Sequence, residues 1–380
     1  MPFVPLEAPR ERLVPAMVRT TEAVLASVVL SALAATGSAS CLVVRDAVHA
    51  GQDVKIEQWG ENAVRVRVVP SGGEFRDDLV SALLPREGSA ECAAVSLADA
   101  APQTVTAGNL RASVGADGKL SFTRVSDGTL LLAEKSPRWL GAAVSTPPVA
   151  GGWLGLNMTF TSSPGERYYG LGQHKTGQLD NAGLSFDLTP RNTEIAIPVV
   201  HSSKGYSMLM NLPGFGTVDL VDGSMAWCLQ TVLQADFWVA TTAAHAAALP
   251  ADSPPVSPWA QLQHAYANAT GHAPVYPHWA SGFWQCKNRY HNQTQVMDIA
   301  RGHAQRGYPI SLLIIDYFSW APGPLGDETL PAECWPDPAA MVSELKQMGV
   351  ELMLSPYFHS VTGASKNYAQ ADELGLCLCL

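Results

Sequence analysis

Between residues 280 and 358 the apolar pattern runs strand, helix, strand, helix, strand, and few folds accommodate that order. ASGFWQ (280–285) has the length and composition of a short strand. Residues 292–307 then place Val296, Ile299, Ala300, His303 and Ala304 at helical spacing, and Gly307 and Pro309 end the run. A strand follows over 310–318; its β-branched and leucine residues, Ile310 to Ile315, are expected to be buried on both faces. Asp337-Pro338 supplies a helix N-cap and a proline at the first helical position, with Met341, Val342, Leu345 and Met348 on one face and Gly349 at the close. VELMLSPYF (350–358) reads as another buried strand. Strands separated by helices pair in parallel through crossovers. The choice is therefore a (β/α)8 barrel or a doubly wound sheet. No glycine-rich phosphate loop follows any strand, and a long loop, 319–336, sits at a strand's carboxyl end, where barrels build their sites. Both features favour the barrel. A complete barrel takes roughly 250 residues, so the stretch 272–380 is expected to hold its first three β/α units.

The preceding segment has a different period. From 41 to 255 short strands alternate with turns. VRVRVV (64–69) alternates strictly, the pattern of a half-buried strand. Residues 110–135 carry two Asp-Gly turns between apolar runs, which predicts a meander. TEIAIPVV, YSMLMNL and AWCLQTVL continue the series, and the whole predicts an antiparallel sandwich. ADSPPVSPW (251–259) is a proline-rich break before AQLQHAYANATG, a candidate short helix. The fold class is thus multidomain, β followed by α/β.

Composition narrows the partners. A net charge of −10 with no basic run argues against nucleic acid, and 47% hydrophobic with 15% charged residues suits large cores. Residues 1–40 read as a leader. Arg10, Arg12 and Arg19 precede the apolar stretch Ala23–Ala35 and then small residues, the order of a secretory signal, too short for a membrane span. Initiation at Met17 instead of Met1 gives a more usual leader length. A secreted or lumenal protein is expected, with a buried helix or an organellar transit peptide as alternatives. Three sequons, at Asn157, Asn268 and Asn292, are compatible with that route. Seven cysteines without a CxxC pair define no disulfide framework and no zinc site. The histidines show no metal-ligand spacing, so no metal or cofactor is implied. Homo-oligomerisation is left open.

Chemistry concentrates at the predicted strand ends. These carry Phe283, Trp284, Gln285, Lys287, Arg289 and Tyr290; then Asp316, Tyr317, Phe318 and Trp320; then Trp335, Tyr357, Phe358 and His359. In a barrel such ends face one pocket. Rings that stack on C–H faces, with a carboxylate accepting hydroxyls, suit an amphipathic sugar. Asp316 can equally be a helix cap or an internal ion-pair partner, and any one ring can be plain core. GLGQHKTGQ (170–178) is not a phosphate loop, since Gln178 and Leu179 stand where lysine and serine or threonine belong. No GxSxG elbow occurs.

YYGLGQHKTGQL (168–179), NTEIAIPVVHSSKGYSMLM (192–210), HWASGFWQCKNRYHNQTQV (278–296), PISLLIIDYFSW (309–320) and CWPDPAAMVSELKQMGVELMLS (334–355) together resemble glycoside hydrolase family 31, nearest its α-xylosidases and α-glucosidases. The resemblance implies an antiparallel β-sandwich of the galactose-mutarotase-like kind before a (β/α)8 barrel. It also implies retaining hydrolysis of α-linked, non-reducing-end xylose or glucose in an oligosaccharide. By position, Asp316 would bind hydroxyls of the sugar in the −1 subsite, and Tyr317 would line the same pocket and help select the sugar. Tyr290 matches an aromatic near that subsite, and Asn192 lies where a loop of the first domain reaches over the site. Cys286 and Lys287 match the motif without an assigned role. The family's nucleophile and acid/base are aspartates on later strands, so the 380 residues alone are expected to be inactive. Neither Asp316 nor Asp327 matches those roles. SPYFHSVTGASKNY lacks the tryptophan and aspartate common in relatives, and Glu328 replaces a tryptophan. A non-catalytic carbohydrate-binding or regulatory protein is the alternative.

Overall fold

The computed structural model describes residues 40–46, 51–85, 92–96, 102–142, 153–189, 191–211, 214–244, 256–357 and 360–373. Apart from Ser40 the leader lies outside them, as does the CLCL tail. The chain divides into two compact units between Gly271 and His272.

The first unit opens with strands β1 (Cys41–Asp46), β2 (Gln52–Gln58), β3 (Ala63–Pro70) and β4 (Ala93–Ser96). The expected meander follows as β5 (Gln103–Ala107), β6 (Leu110–Val114), β7 (Leu120–Arg124) and β8 (Leu130–Ala133), with Gly118 and Gly128 at positive φ in its Asp-Gly turns. Next come β9 (Trp139–Ala142), β10 (Leu154–Thr161), β11 (Tyr168–Gln173), β12 (Ser185–Asp187) and β13 (Ile195–Ser202). Strands β14 (Tyr206–Met210), β15 (Gly216–Asp219), β16 (Ser224–Val232) and β17 (Ala235–Thr241) lead to helix α1 (Pro258–Thr270). They form an eight-stranded sheet in the order β11-β13-β14-β17-β3-β2-β1-β4, a five-stranded sheet β12-β15-β16-β10-β9 and the four-stranded meander. All three contribute to one core, which includes Ile56 and Val66, Met158 and Trp227, and Ala112 and Phe122. Phe237 of β17 joins the layers, meeting Phe122 and Phe160 edge-on at 6.2 and 6.4 Å.

The alternating strand is not half-buried. Every residue of β3 from Ala63 to Val69 is buried. Val64, Val66 and Val68 face the core, and the opposite face is covered by charge pairing. Arg65 donates to both oxygens of Asp236 at 2.5 and 3.0 Å and lies 4.8 Å over the Trp59 ring. Arg67 donates to Glu57 and Asp77, each at 2.6 Å. Alternation in sequence reports polarity, and here the polar side meets partners from flanking strands instead of water.

A second correction concerns the cysteines. Cys41 and Cys92 form a disulfide across 51 residues. Parallel pairing of β1 with β4, Leu42 opposite Ala93, brings the two thiols together, a proximity that spacing could not reveal. Closing a loop of that length restricts the unfolded chain by about 4 kcal/mol. Reduction of the bond is expected to lower the melting temperature of the first unit, and Cys41→Ser to do so without reductant; calorimetry of both checks this.

Helix α1 begins where Ser257 Oγ accepts from the Ala260 amide at 3.1 Å, with Pro258 at the first helical position. It buries Ala269 with Val199, Leu209, Trp238 and Ala240. A polar contact also ties it to the sheet: Gln263 Nε2 lies 3.2 Å from His201 Nε2, while His201 Nδ1 is 2.6 Å from Ser207 Oγ. With the amide donating, the imidazole is neutral and its Nδ1–H points to the serine. Burial lowers the His201 pKa. A folded value below the unfolded one means that this stability is present above about pH 6.5 and is lost as pH falls through the lower folded value. Thermal melts of the wild type should therefore drop on acidification through that range, and the drop should be smaller in His201→Gln.

The second unit holds β18 (Trp284–Lys287), α2 (Gln293–Gln305), β19 (Leu312–Asp316), α3 (Pro338–Gln347), β20 (Glu351–Ser355) and α4 (Tyr368–Glu373). The strands pair in parallel in the order β18-β19-β20, with Trp284, Leu312 and Glu351 in one row. Asn292 caps α2 by accepting from the Gln295 amide at 3.0 Å, and Asp337 caps α3 by accepting from Ala340 at 2.8 Å. Leu313 and Ile315 pack with Val296, Met297 and Ala300 of α2 and with Met341 and Leu345 of α3. Arg301 joins the two helices through Glu344 at 2.8 Å. The first strand lies later than expected because a 3-10 turn, His278–Ser281, takes up its start. Burial of β20 is also less than expected: Met353 and Leu354 are 37% and 42% exposed. Among the described residues β20 has a paired strand on one side only.

Candidate functional site

Strand β19 ends at Asp316, opposite Ser355 of β20. The register places Cys286, Ile314 and Met353 in one row. Side chains two apart on a strand share a face, so Asp316 stands on the same face as that row, away from the helix-covered Leu313 and Ile315. The Cys286 thiol is pushed up, first by desolvation and then by the neighbouring Asp316 carboxylate.

Beyond Asp316 the chain turns sharply. Tyr317 and Phe318 have φ of 55° and 65°, left-handed conformations that cost bulky residues about 1 kcal/mol or more each. Two in succession swing their rings over the strand ends. Tyr317 lies 4.8 Å from Tyr357, 4.6 Å from Phe318 and 5.6 Å from Trp320. Phe318 stacks on Trp320 at 5.4 Å, and the Arg289 guanidinium sits 4.4 Å over the Phe318 ring. Residues following all three strands thus meet in one ring cluster that begins at the residue after Asp316. Trp320 and Trp335 are buried beneath, and Trp335 donates to the Ser319 carbonyl at 2.8 Å, which fixes the turn.

The long loop is bound to the segment after β20. Asp327 accepts from Ser365 Oγ at 2.9 Å and from the Lys366 amide at 3.0 Å. Glu328 accepts from the Tyr357 amide at 3.0 Å, and Asn367 donates to the Gly326 carbonyl at 2.7 Å. Both acids therefore hold backbone. Asp316 has the partly exposed position, at a strand tip and among rings, from which a carboxylate can accept hydroxyls.

Tyr290 occupies a different environment. It is 1% exposed, within the core under the helices, and its hydroxyl accepts from Gln285 Nε2 at 3.2 Å. Asn192 belongs to the first unit, exposed in the turn between Arg191 and Glu194 that precedes β13. Phe283 stacks on His303 of α2 at 6.1 Å, so it does not join the ring cluster. Phe358 and His359 lie outside the described residues. The neighbourhood of Cys286 and Asp316 was missed in the sequence, although the QCK triplet in a parallel strand already puts Cys286 opposite in face to Gln285 and Lys287.

A parallel β/α sheet with a carboxylate and aromatic rings at its carboxyl ends is the arrangement of a barrel enzyme's site. Residues 273–379 match the family model for the glycosyl hydrolases family 31 TIM-barrel domain. The chain is 34% identical over 323 residues to an uncharacterized family 31 glucosidase, ORF2, of Pseudescherichia vulneris, covering 80% of this chain and 57% of that protein. It is 30% identical over 349 residues to alpha-xylosidase A of Aspergillus niger, covering 86% and 45%. Among solved structures, a GH31 alpha-xylosidase from a soil metagenome, complexed with xylose, superposes with a TM-score of 0.70 at 32% identity, over 89% of this chain and 49% of that one. The chain is thus similar to glycosyl hydrolase family 31 proteins over most of its length, and residues 273–379 match that family's TIM-barrel domain. The chain spans about half the length of the curated relatives it matches.

Proposed function

We propose that this chain supplies the sugar-gripping strand ends of a retaining α-glycosidase that removes terminal α-linked xylose or glucose from oligosaccharides. In this reading the first unit is a β-sandwich of the galactose-mutarotase-like kind and the second is the first three β/α units of a barrel. The observation that carries it is Asp316, partly exposed at the tip of β19 and followed by Tyr317, whose ring meets that of Tyr357. The carboxylate accepts two sugar hydroxyls, and the rings give the C–H faces a surface to stack on. Tyr317 selects between a pentose and a hexose by the room it leaves beyond the ring. Tyr290, buried on the helix-covered side with Gln285, supports the strand ends by packing and does not touch the sugar. The relatives' names, α-xylosidase among them, support the substrate class. The Cys41–Cys92 disulfide supports a secretory compartment, where such bonds persist.

Retaining hydrolysis needs two carboxyl groups about 5–5.5 Å apart. Asp327 and Glu328 are committed to backbone amides, which leaves Asp316 as a grip and not as half of a pair. A polypeptide of these 380 residues is accordingly expected to bind xylose and to release none from an aryl α-xyloside. Turnover abolished by Asp316→Asn would contradict that. The same commitment of Asp327 and Glu328 favours a second reading, a non-catalytic carbohydrate-binding protein. The coding sequence after Leu380 separates the two: an in-frame continuation with two further strand-end aspartates supports the enzyme, and a stop supports the binder.

A further inference from the structure

The first unit contains a cleft of about 680 Å³ that the strand-end site does not explain. One wall is the turn between β2 and β3, with Trp59, Glu61 and Asn62; the other is α1. That helix divides its surface. Leu262 and Ala269 are buried, whereas Gln261, His264, Ala265 and Asn268, at positions i, i+3, i+4 and i+7, form a stripe along the cleft. Leu84, Pro85, Thr241 and Val256 are also part of the lining.

The lining chemistry limits the ligand. Among the described lining residues Glu61 is the only carboxylate and none is a lysine or arginine; the Arg65 guanidinium over Trp59 is already paired with Asp236. A single carboxylate with amides and an imidazole suits a neutral polyhydroxylated ring, whose hydroxyls these groups take. The volume lies within the range of small-molecule sites, about 300–1,000 Å³. Part of the polar lining is already committed to the fold. Asn62 Oδ1 accepts from the Asn109 amide at 2.7 Å, and Gln261 Oε1 accepts from Ala243 at 3.0 Å. Those bonds fix the two walls. Glu61 and His264, one on each wall, are exposed and make no hydrogen bond or ion pair among the described residues, so both are available to a ligand.

We infer that this cleft is a second saccharide-binding site, separate from the strand ends, in which Glu61 and His264 hold a neutral sugar from opposite walls beside Trp59. It would hold a saccharide on the first unit independently of Asp316. The test uses the full chain carrying Asp316→Ala, which removes the proposed grip at the strand end, and maltotriose and an α-xylosyl-glucose disaccharide as probes in calorimetric titrations. The prediction is saturable binding of at least one probe by the Asp316→Ala chain. Addition of Glu61→Ala and His264→Ala should weaken that binding at least about tenfold, the size of one or two lost hydrogen bonds. Both residues are exposed, so melting curves should stay within a few degrees of the parent, and each single substitution provides a second measurement. Absence of binding by the Asp316→Ala chain, or binding that the double substitution leaves unchanged, overturns the inference. Failure of the strand-end reading has a different signature: wild type and Asp316→Ala bind identically.

Discussion

Asp236→Ala is expected to destabilise the first unit by about 3–5 kcal/mol, the usual consequence of removing one partner from a buried ion pair. The Arg65 and Asp236 side chains are 7% and 3% exposed, so the stranded guanidinium has little water to turn to. Asp77 does not replace Asp236, because it stands 3.8 Å from Arg65 and already serves Arg67 at 2.6 Å. Strand β17 would lose its polar tie to β3 in the middle of the eight-stranded sheet, beside the Phe237 contacts that link the layers. For a unit of this size the shift in melting temperature is about 10 °C or more. Replacing both partners with apolar residues of similar shape should restore much of that loss, since such pairs add little over well-packed hydrophobic groups. Calorimetry of the single and double variants measures both effects, and equal melting of the wild type and Asp236→Ala would show that the pair is dispensable.

The second large effect is on binding. Asp316→Ala should weaken xylose binding at the strand ends by about 100-fold, because two charge-assisted hydrogen bonds contribute roughly 3 kcal/mol together. The substitution should leave melting nearly unchanged, since the carboxylate caps no helix and is part of none of the three core clusters. A structural Asp316 behaves in the opposite way, with lowered melting and unaltered affinity. Asp316→Asn separates charge from shape: an amide keeps one acceptor and should recover only part of the affinity.

The α/β half was legible because local rules and tertiary structure agree there. Asn292 and Asp337 cap their helices as helix-start chemistry requires, and the apolar stripes of α2 and α3 meet Leu313 and Ile315 as the spacing implies. Asp316 was readable as a strand-tip group for the same reason. What escaped depends on long-range partners. Nothing near VRVRVV announces that Asp236 neutralises Arg65, so alternation suggested a wet face. Cys41 and Cys92 meet only through the β1–β4 pairing. Tyr290 belongs to the same run as the strand-end rings, and its burial follows from its place under α2, which periodicity does not encode. The left-handed turn at Tyr317 and Phe318 is the least predictable feature, since neither residue favours positive φ.

The central claim is that the tip of β19 grips a sugar. It is tested most directly by titrating the isotope-labelled chain with xylose while following backbone amide resonances. The account predicts saturable shifts at Asp316, Tyr317 and Tyr357 with a common affinity, absent in Asp316→Ala. Saturable binding that moves none of these residues, or that persists unchanged in Asp316→Ala with shifts at the same three positions, would contradict it.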